Sequence, residues 1–404
     1  MRASRVLLAG AAGLTLILSA CTTDAPEDPD GASADGENGG ELTPDAEWFD
    51  QAEFDAQLAQ RDIEPEGPAD EPWMQAIEPE WVDTADFAID DPEDAHVCFS
   101  NASVSNPWRV TGFITMEQQV EALVDEGRIG SFDSSDAADD DNQQISDIQA
   151  FVDSGNCDAI IISPSTTATL TPAVETACES GVPVVVFDRG VNSDCMVTFI
   201  HPIGGYAYGA DAADFLVENL DPGSTVLALR ILPGVDVLEH RWAAAQEIFG
   251  DSELDVLGFE FTEGDGAQIK DLVSQHLQRG EVNGIWMDAG DGAVAGLEAF
   301  EDAGQPYPVI AGEDELSFMR KWDEEGLTAI GPVYSNFQWR TPVIAAGMIL
   351  AGEEVPAEWI LPQEPVREDD LDEYLDRNSD MPSLHYAKFG GEDLPGFPEA
   401  WVDR

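Results

Sequence analysis

The chain has 404 residues, of which 82 are acidic and 17 basic, giving a formal net charge of −65 at pH 7. Because phosphate binding needs clustered Lys and Arg, this charge excludes a nucleic-acid-binding protein, and it opposes electrostatic docking on anionic lipid. The hydrophobic fraction of 43% suffices for a large core, and the length predicts two lobes rather than one.

The first predicted element is an export signal. Two arginines precede a short apolar run, Val6–Leu18, and residues Leu18–Cys21 have the sequence Leu-Ser-Ala-Cys. The run is short for a membrane span, and small residues before a cysteine are typical of a lipoprotein cleavage site. We therefore expect residues 1–20 to be a lipoprotein signal peptide. Lipid on Cys21 would anchor the exported protein to the outer face of the cell membrane; a plain secretory peptide is the alternative.

Two acidic segments follow the signal. Residues 21–45 are rich in Asp, Glu, Gly, Pro and Ala, a composition that cannot bury a core and predicts a disordered tether. Residues 46–95 add large apolar side chains, and Phe54 and Leu58 are spaced as on one face of a helix within residues 47–61. We expect 46–95 to be an N-terminal extension packed on the body, with continued linker as the alternative.

From His96 onwards, short apolar strands alternate with helical segments. The first series has strands at 97–102, 129–134, 159–163, 182–187 and 196–201, and helices at 108–126, 139–154 and 170–180. The second series has helices at 206–219, 238–249, 268–280, 293–303, 316–325 and 338–351, and strands at 225–231, 256–261, 284–287, 309–311 and 328–333. This alternation predicts an α/β fold, with parallel sheets covered by helices on both faces.

The two series predict two doubly wound, Rossmann-like lobes joined by a hinge of three chain crossings. We place the crossings near residues 203, 312 and 334. Lobe 1 then comprises 96–203 plus 313–334, lobe 2 comprises 204–312 plus 335–355, and a C-terminal strap comprises 356–404, with one helix at 368–377. Ligands bind such sheets at the carboxyl ends of the strands, so the cleft between the lobes is the expected site.

Besides Cys21, the chain has four cysteines: Cys98, Cys157, Cys178 and Cys195. An even number in an exported chain predicts two disulfides, with three possible pairings. Cys157 precedes a predicted strand and Cys178 ends the next helix, so both should lie at the same end of the sheet. We therefore expect Cys157–Cys178 and, by elimination, Cys98–Cys195. A zinc site is disfavoured because no CxxC spacing is present.

Three local patterns stand at predicted strand ends. They are Ser105-Asn106-Pro107-Trp108, then Pro183-Val184-Val185-Val186-Phe187-Asp188-Arg189, then Ala311-Gly312-Glu313-Asp314. In this order on a β/α framework, they resemble the type I periplasmic binding proteins, the ribose-binding-protein-like group, over residues 95–355. The sequences at Glu239–Ala243 and Asp288–Asp291 depart from that group's patterns, which leaves the ligand's identity open.

The resemblance implies a monomeric solute-binding protein of an ABC importer, with a sugar or polyol as ligand and a membrane permease as partner. Carboxylates and guanidinium groups bond hydroxyls strongly, and aromatic rings cover the C–H face of a sugar. The expected ligand contacts at strand ends and the lobe crossing are Asn106, Trp108, Arg109, Asp188, Arg189, Glu239, Arg241, Asp288, Asp314 and Tyr334.

Each of these residues has a structural alternative. Asp188 and Arg189 could form a local ion pair, Trp108 could lie in the core, and Tyr334 could pack at the hinge. Asp288 and Asp314 could cap helices, as Asp291 is expected to do. Only one of Glu239 and Arg241 need face the cleft. Both could also be solvated positions of a helix.

Other functions are disfavoured by missing motifs. The sequence has no Gly-x-Ser-x-Gly elbow, no metal-ligand spacing among its five histidines and no phosphate-loop lysine, so we expect neither an enzyme nor a cofactor. A sensor that feeds a signalling receptor, and a binding protein for an autoinducer or nucleoside, remain alternatives. The acidic surface fits either an organism living in salt, since salt screens self-repulsion, or an acidic secreted protein from a lysine-poor proteome.

Overall fold

The computed structural model describes residues 42–290 and 292–402. The predicted signal peptide, the lipid site at Cys21, most of the tether and the expected cap at Asp291 lie outside these residues. None of the described helices is both long and apolar enough to cross a membrane.

Strands and helices alternate along the chain as the sequence predicts. The helices are α1 Gln51–Gln60, α2 Pro107–Asp125, α3 Asp141–Ser154, α4 Thr167–Glu179, α5 Gly205–Asn219, α6 Asp236–Gly250, α7 Gly266–Arg279, α8 Ala293–Ala303, α9 Leu316–Glu325, α10 Thr341–Leu350, α11 Glu368–Arg377 and α12 Glu399–Val402. The strands are β1 Trp81–Val82, β2 His96–Asn101, β3 Ser131–Asp136, β4 Ala159–Ser163, β5 Val184–Phe187, β6 Thr198–Pro202, β7 Thr225–Arg230, β8 Asp255–Phe261, β9 Gly284–Met287, β10 Val309–Ala311, β11 Ala329–Ile330, β12 Val355–Pro356 and β13 Glu358–Leu361. Every strand and helix predicted between residues 96 and 351 has a counterpart here.

Lobe 1 is built on a parallel six-stranded sheet with the order β13-β6-β5-β4-β2-β3. Successive side chains of β4 point to opposite faces of this sheet. Ile160 and Ile162 pack with residues of α3 and α4, whereas Ile161 packs with residues of α2 and α10. Because both faces are covered, β4 is apolar throughout rather than alternating.

Lobe 2 is built on a parallel five-stranded sheet with the order β11-β10-β9-β7-β8. Leu227 and Leu229 of β7 face α7, α8 and α9, while Val226 and Ala228 face α5 and α6. Two doubly wound lobes therefore confirm the predicted fold class.

The predicted lobe boundaries were wrong after residue 312. The sequence predicts residues 313–334 in lobe 1, but β11 pairs with β10 through Ile310 and Ala329 and so belongs to lobe 2. The sequence predicts residues 335–355 in lobe 2, but α10 packs against β4 and β5 of lobe 1. The chain turns back into the same sheet after β10 because α9 packs beside α8 on one face of lobe 2.

Between β2 and α11, the chain crosses between the lobes at three places. The crossings follow β6 near residue 203, follow β11 before α10, and follow β13 before α11. The crossings expected near 203 and 334 are therefore present, while the one expected near 312 is replaced by one between Leu361 and Glu368.

Both predicted disulfides were paired wrongly. The structure has Cys98–Cys157 and Cys178–Cys195, with Cα atoms 5.7 and 6.0 Å apart. The pairing follows from strand order, because β2 lies directly beside β4 and the Asp158 amide donates to the His96 carbonyl at 2.7 Å. This contact holds Cys157 beside Cys98 of β2. Cys178, near the end of α4, therefore pairs with Cys195 in the loop before β6.

The N-terminal extension and the C-terminal strap each contact both lobes. In the extension, α1 packs on α5 of lobe 2, and β1 pairs with β12, which follows α10 of lobe 1. In the strap, β13 joins the lobe 1 sheet, α11 packs on α9 of lobe 2, and α12 returns to α2 of lobe 1. The sequence predicted only α11 as regular structure in the strap.

Candidate ligand-binding site

A buried ion pair lies at the carboxyl end of the lobe 1 sheet. The Arg109 guanidinium on α2 donates through Nη2 to Asp188 Oδ2 at 2.7 Å, and these side chains are only 3% and 4% exposed. Asp188 follows β5 with φ +71°, a left-handed conformation that Asp tolerates better than most residues. The Tyr334 hydroxyl donates to the Asp188 carbonyl at 2.9 Å, so the crossing after β11 is tied directly to this pair.

Three further predicted contacts surround the pair. Asn106 is the N-cap of α2, and its side-chain oxygen accepts from the Arg109 amide at 2.9 Å. The Trp108 indole donates to the Tyr334 carbonyl at 2.9 Å, and the two ring centres are 5.9 Å apart. Arg189 donates to the Ser165 carbonyl at 2.6 Å. Burial, and secondarily the Arg109 charge, lower the pKa of Arg189. The hydrogen bonds of Asn106 and Trp108 therefore fix the positions of Arg109 and Tyr334.

Arg241 of α6 lies against the crossing that follows β11. Its guanidinium carbon lies 3.9 Å from the ring centre of Tyr208 and 4.9 Å from that of Tyr334. Its Nη1 donates to the Asp288 carbonyl. Close packing of α6 on α5 sets this position, because a Cβ at Gly209 would overlap the Arg241 carbonyl. Of Glu239 and Arg241, it is therefore Arg241 that faces the other lobe.

Asp288 is a fully buried carboxylate at the end of β9. Its Oδ1 accepts from the Ile231 amide at 2.9 Å, and its Oδ2 lies 3.8 Å from Arg230 Nε. Burial raises the pKa of Asp288 to about 7, although the charges of Arg230 and Arg241 oppose the rise. It caps no helix, since the N-cap of α8 is Gly292.

Two predicted ligand contacts are engaged inside lobe 2. Glu239 accepts from Arg230 Nη2 and from the Gly234 amide, both at 2.6 Å, which fixes the loop before α6. Asp314 accepts from the Lys388 amide at 2.7 Å and so holds the strap. Burial raises the pKa of Asp314 to about 6.

The sequence interpretation missed Tyr208, Arg230 and Asn336. Arg230 is the last residue of β7, whereas the predicted strand ends one residue later, at 231. With the correct end, Arg230 would have been selected as a polar residue at a strand end. Asn336 donates to the Trp108 carbonyl at 2.7 Å from the crossing after β11. Tyr208 lies inside α5, where no sequence pattern distinguishes it from a core residue.

Several buried polar atoms of the candidate site have no hydrogen-bond partner among the described residues. They include Arg109 Nη1, Arg241 Nε and Asp288 Oδ2. A buried polar atom left in this state costs about 1–3 kcal/mol. A hydroxyl group both donates and accepts, so it can satisfy either kind of atom.

A cavity of about 380 Å³ lies between the lobes, beside the Arg109–Asp188 pair. Asp188, Arg189 and Tyr334 line it on one side, and residues 234–237 with His240 line it on the other. This volume falls within the range of small-molecule sites. A larger cavity, about 890 Å³, lies between the extension and the strap and includes none of the predicted ligand contacts.

Two doubly wound lobes with a polar cleft between their strand ends define a two-lobed ligand-binding protein. A sequence profile for the periplasmic binding protein domain matches residues 97–336, more than half of the chain. The chain therefore belongs to the type I periplasmic binding protein family. The extension and the whole strap lie outside the matched residues.

Known proteins similar to this chain include both sequence and structural relatives. The ribose import binding protein RbsB of Bacillus subtilis is 25% identical over 221 residues, which are 54% of this chain and 72% of that protein. An ABC transporter solute binding protein from Thermobispora bispora superposes with a TM-score of 0.64 at 22% identity, covering 72% of this chain and 90% of that one. Another from Bacillus halodurans, with bound myo-inositol, gives 0.63 at 20% identity, covering 72% and 100%. These structural likenesses establish the fold.

Proposed function

We propose that this protein is the extracytoplasmic solute-binding component of an ABC importer, and that it captures a monosaccharide or polyol between its lobes. One observation carries the proposal. Arg241 lies against the Tyr334 ring and donates to the Asp288 carbonyl, and the Tyr334 hydroxyl donates to the carbonyl of Asp188, the partner of Arg109. Arg109 and Arg241 each have a buried donor, and Asp288 a buried acceptor, without a partner among the described residues. Hydroxyl groups in fixed directions complement such a set, because each can accept from a guanidinium and donate to a carboxylate.

The surroundings of these atoms favour a ligand with an apolar face as well. Tyr208 and Tyr334 offer ring surfaces next to Arg241, and Trp108 supports Tyr334 from lobe 1. Aromatic faces cover C–H groups of a sugar ring. The similar proteins are consistent with this class, since one is named for ribose import and another has bound myo-inositol.

The mechanism is closure of the lobes around the ligand. Tyr334 lies on a crossing and contacts Asp188 of lobe 1 and Arg241 of lobe 2. A ligand that bonds both lobes stabilises the closed arrangement through contacts that the open arrangement lacks. The closed protein would dock on a permease as a monomer, held to the outer face of the membrane by lipid on Cys21.

A thermal-shift screen against pentoses, hexoses, polyols, amino acids and nucleosides tests the proposal. A ligand at a hundredfold excess over its dissociation constant should add about 2.7 kcal/mol to the free energy of unfolding. We expect this shift with a sugar or polyol, and we expect Asp288→Asn to abolish it. The matched control is Asp255→Asn, an exposed aspartate at the opposite end of the same sheet.

The screen has two outcomes that contradict the proposal. A shift with an amino acid or a nucleoside alone would reassign the ligand class. A sugar shift that survives Asp288→Asn and Asp255→Asn equally would place the binding site elsewhere.

A further inference from the structure

Helix α1 belongs to the extension, outside the residues matched by the family profile, yet it is firmly docked on lobe 2. Phe54 is buried against the Tyr206 ring, with centres 5.9 Å apart. The Tyr206 hydroxyl donates to the Trp48 carbonyl and accepts from the Asp50 amide, both at 2.9 Å. At the end of the helix, Arg61 pairs with the buried Asp211 at 2.8 Å. The position of α1 is therefore fixed along its whole length.

The docking is closest where the chain crosses between the lobes. The Gln57 side chain is buried, accepts from the Ala207 amide at 3.2 Å, and contacts Gly204. Gly204 has φ +142°, and a Cβ there would collide with the Gln57 amide group, so only glycine leaves room for the helix. Helix α1 is thus built into the start of lobe 2 rather than laid over it.

The same face of α1 borders the cavity between the lobes. Glu53 and Gln57 line it together with Asp188 and Arg189 of lobe 1 and His240 of lobe 2. Gln57 donates to Glu53 Oε1 at 3.1 Å, which orients the carboxylate. Glu53 is therefore an oriented acceptor at a cavity that three of the predicted ligand contacts, Asp188, Arg189 and Tyr334, also line.

We propose that α1 is the third wall of the ligand pocket and that the Glu53 carboxylate is a specificity-determining acceptor for one hydroxyl of the bound sugar or polyol. This inference rests on the proposed function. It adds that recognition is shared between the family domain and a helix that precedes it. A third wall also confines the ligand to a compact molecule on this side of the cleft.

The test measures dissociation constants by isothermal titration calorimetry on the mature full-length chain, with D-ribose, D-allose and myo-inositol as probes. Glu53→Gln should weaken binding of the probe that the wild type binds by about tenfold, because a charge-assisted hydrogen bond is lost. The matched control is Asp55→Asn, an exposed carboxylate two residues away on the same helix. It should change the dissociation constant by no more than about twofold.

Monodeoxy analogues of the bound probe separate direct contact from a general electrostatic effect. The analogue that lacks the hydroxyl donating to Glu53 should bind the wild type and Glu53→Gln equally well. Equal losses in Glu53→Gln and Asp55→Asn, or an unchanged affinity in both, would overturn the inference while leaving the proposed function intact. If the wild type binds neither these probes nor any other pentose, hexose or polyol of the thermal-shift screen, the proposed function fails for this ligand class and the inference fails with it.

Discussion

Removing one partner of the Arg109–Asp188 pair should destabilise the protein far more than removing one partner of an exposed pair of the same length. The buried pair has a separation of 2.7 Å and is 3% and 4% exposed. The pair between Arg128 and Glu353 has a separation of 2.8 Å but is 37% and 45% exposed. The two pairs therefore differ mainly in burial, which makes the second a matched control for the first.

Burial determines the magnitude because an unpaired charge cannot be hydrated inside the protein. Asp188→Asn, which retains tolerance for the left-handed backbone, should lower the free energy of unfolding by about 3–5 kcal/mol. Glu353→Gln should lower it by less than about 1 kcal/mol. Arg109→Met combined with Asp188→Asn removes both charges, so the double variant should be more stable than the sum of the single losses predicts.

Urea unfolding at low and high salt gives the required free energies. Salt should reduce the small contribution of the exposed pair and leave that of the buried pair nearly unchanged. If Asp188→Asn cost no more than Glu353→Gln, or if the double-variant losses were additive, burial of the ion pair would not govern its energy and the reasoning would be wrong.

Two further predictions concern the disulfides and pH. Peptide mapping without reduction should recover Cys98–Cys157 and Cys178–Cys195, and recovery of a Cys157–Cys178 peptide would contradict the structure. Replacing both cysteines of a pair by serine should lower the free energy of unfolding by about 4 kcal/mol for the first pair, with a sequence separation of 59, and by about 3 kcal/mol for the second, with a separation of 17. The free energy of unfolding should rise as pH falls from about 8 to about 5, because burial raises the pKa of Asp288 to about 7 and those of Asp211 and Asp314 to about 6, above the ordinary value of 3.8. The protons that these three carboxyls bind in the folded protein outweigh the one that His385, whose pKa burial lowers to about 3, binds only after unfolding. Asp211→Asn should flatten the rise and Asp255→Asn should not, and a fall in stability over this range would count against the burial of these carboxyls.

The order of strands and helices could be predicted from the sequence because each parallel strand is buried on both faces. The apolar run Ala159–Ser163 coincides with β4, and its five residues are all buried. The later lobe boundary could not be predicted, because β11 has only two residues and its sheet is decided by pairing with β10 rather than by its own sequence. Disulfide pairing failed for the same reason, since strand neighbours are not adjacent in the chain.

The positions of the candidate site residues at strand ends could be predicted from the sequence, but the partners of their side chains could not. Arg109 and Asp188 were selected as ligand contacts, and the structure brings them together at the cleft. Asp314 stands in an equivalent position, yet it accepts from Lys388, which follows it by 74 residues in the strap. A local pattern identifies a polar side chain at the sheet edge, whereas a distant segment decides whether that side chain is available to a ligand.

The same distant segments bear on how the lobes can move. The extension is tied to lobe 2 by Arg61 and Asp211, and to lobe 1 where the Arg340 guanidinium lies 3.4 Å from the ring centre of Trp73. The strap holds lobe 2 through Asp314 and reaches α2 of lobe 1 through Trp401. Closure around a ligand depends on the free-energy difference between open and closed arrangements, and every tie that spans both lobes contributes to that difference. We therefore expect the extension and the strap to contribute to ligand affinity together with the cleft, although neither segment belongs to the matched family domain.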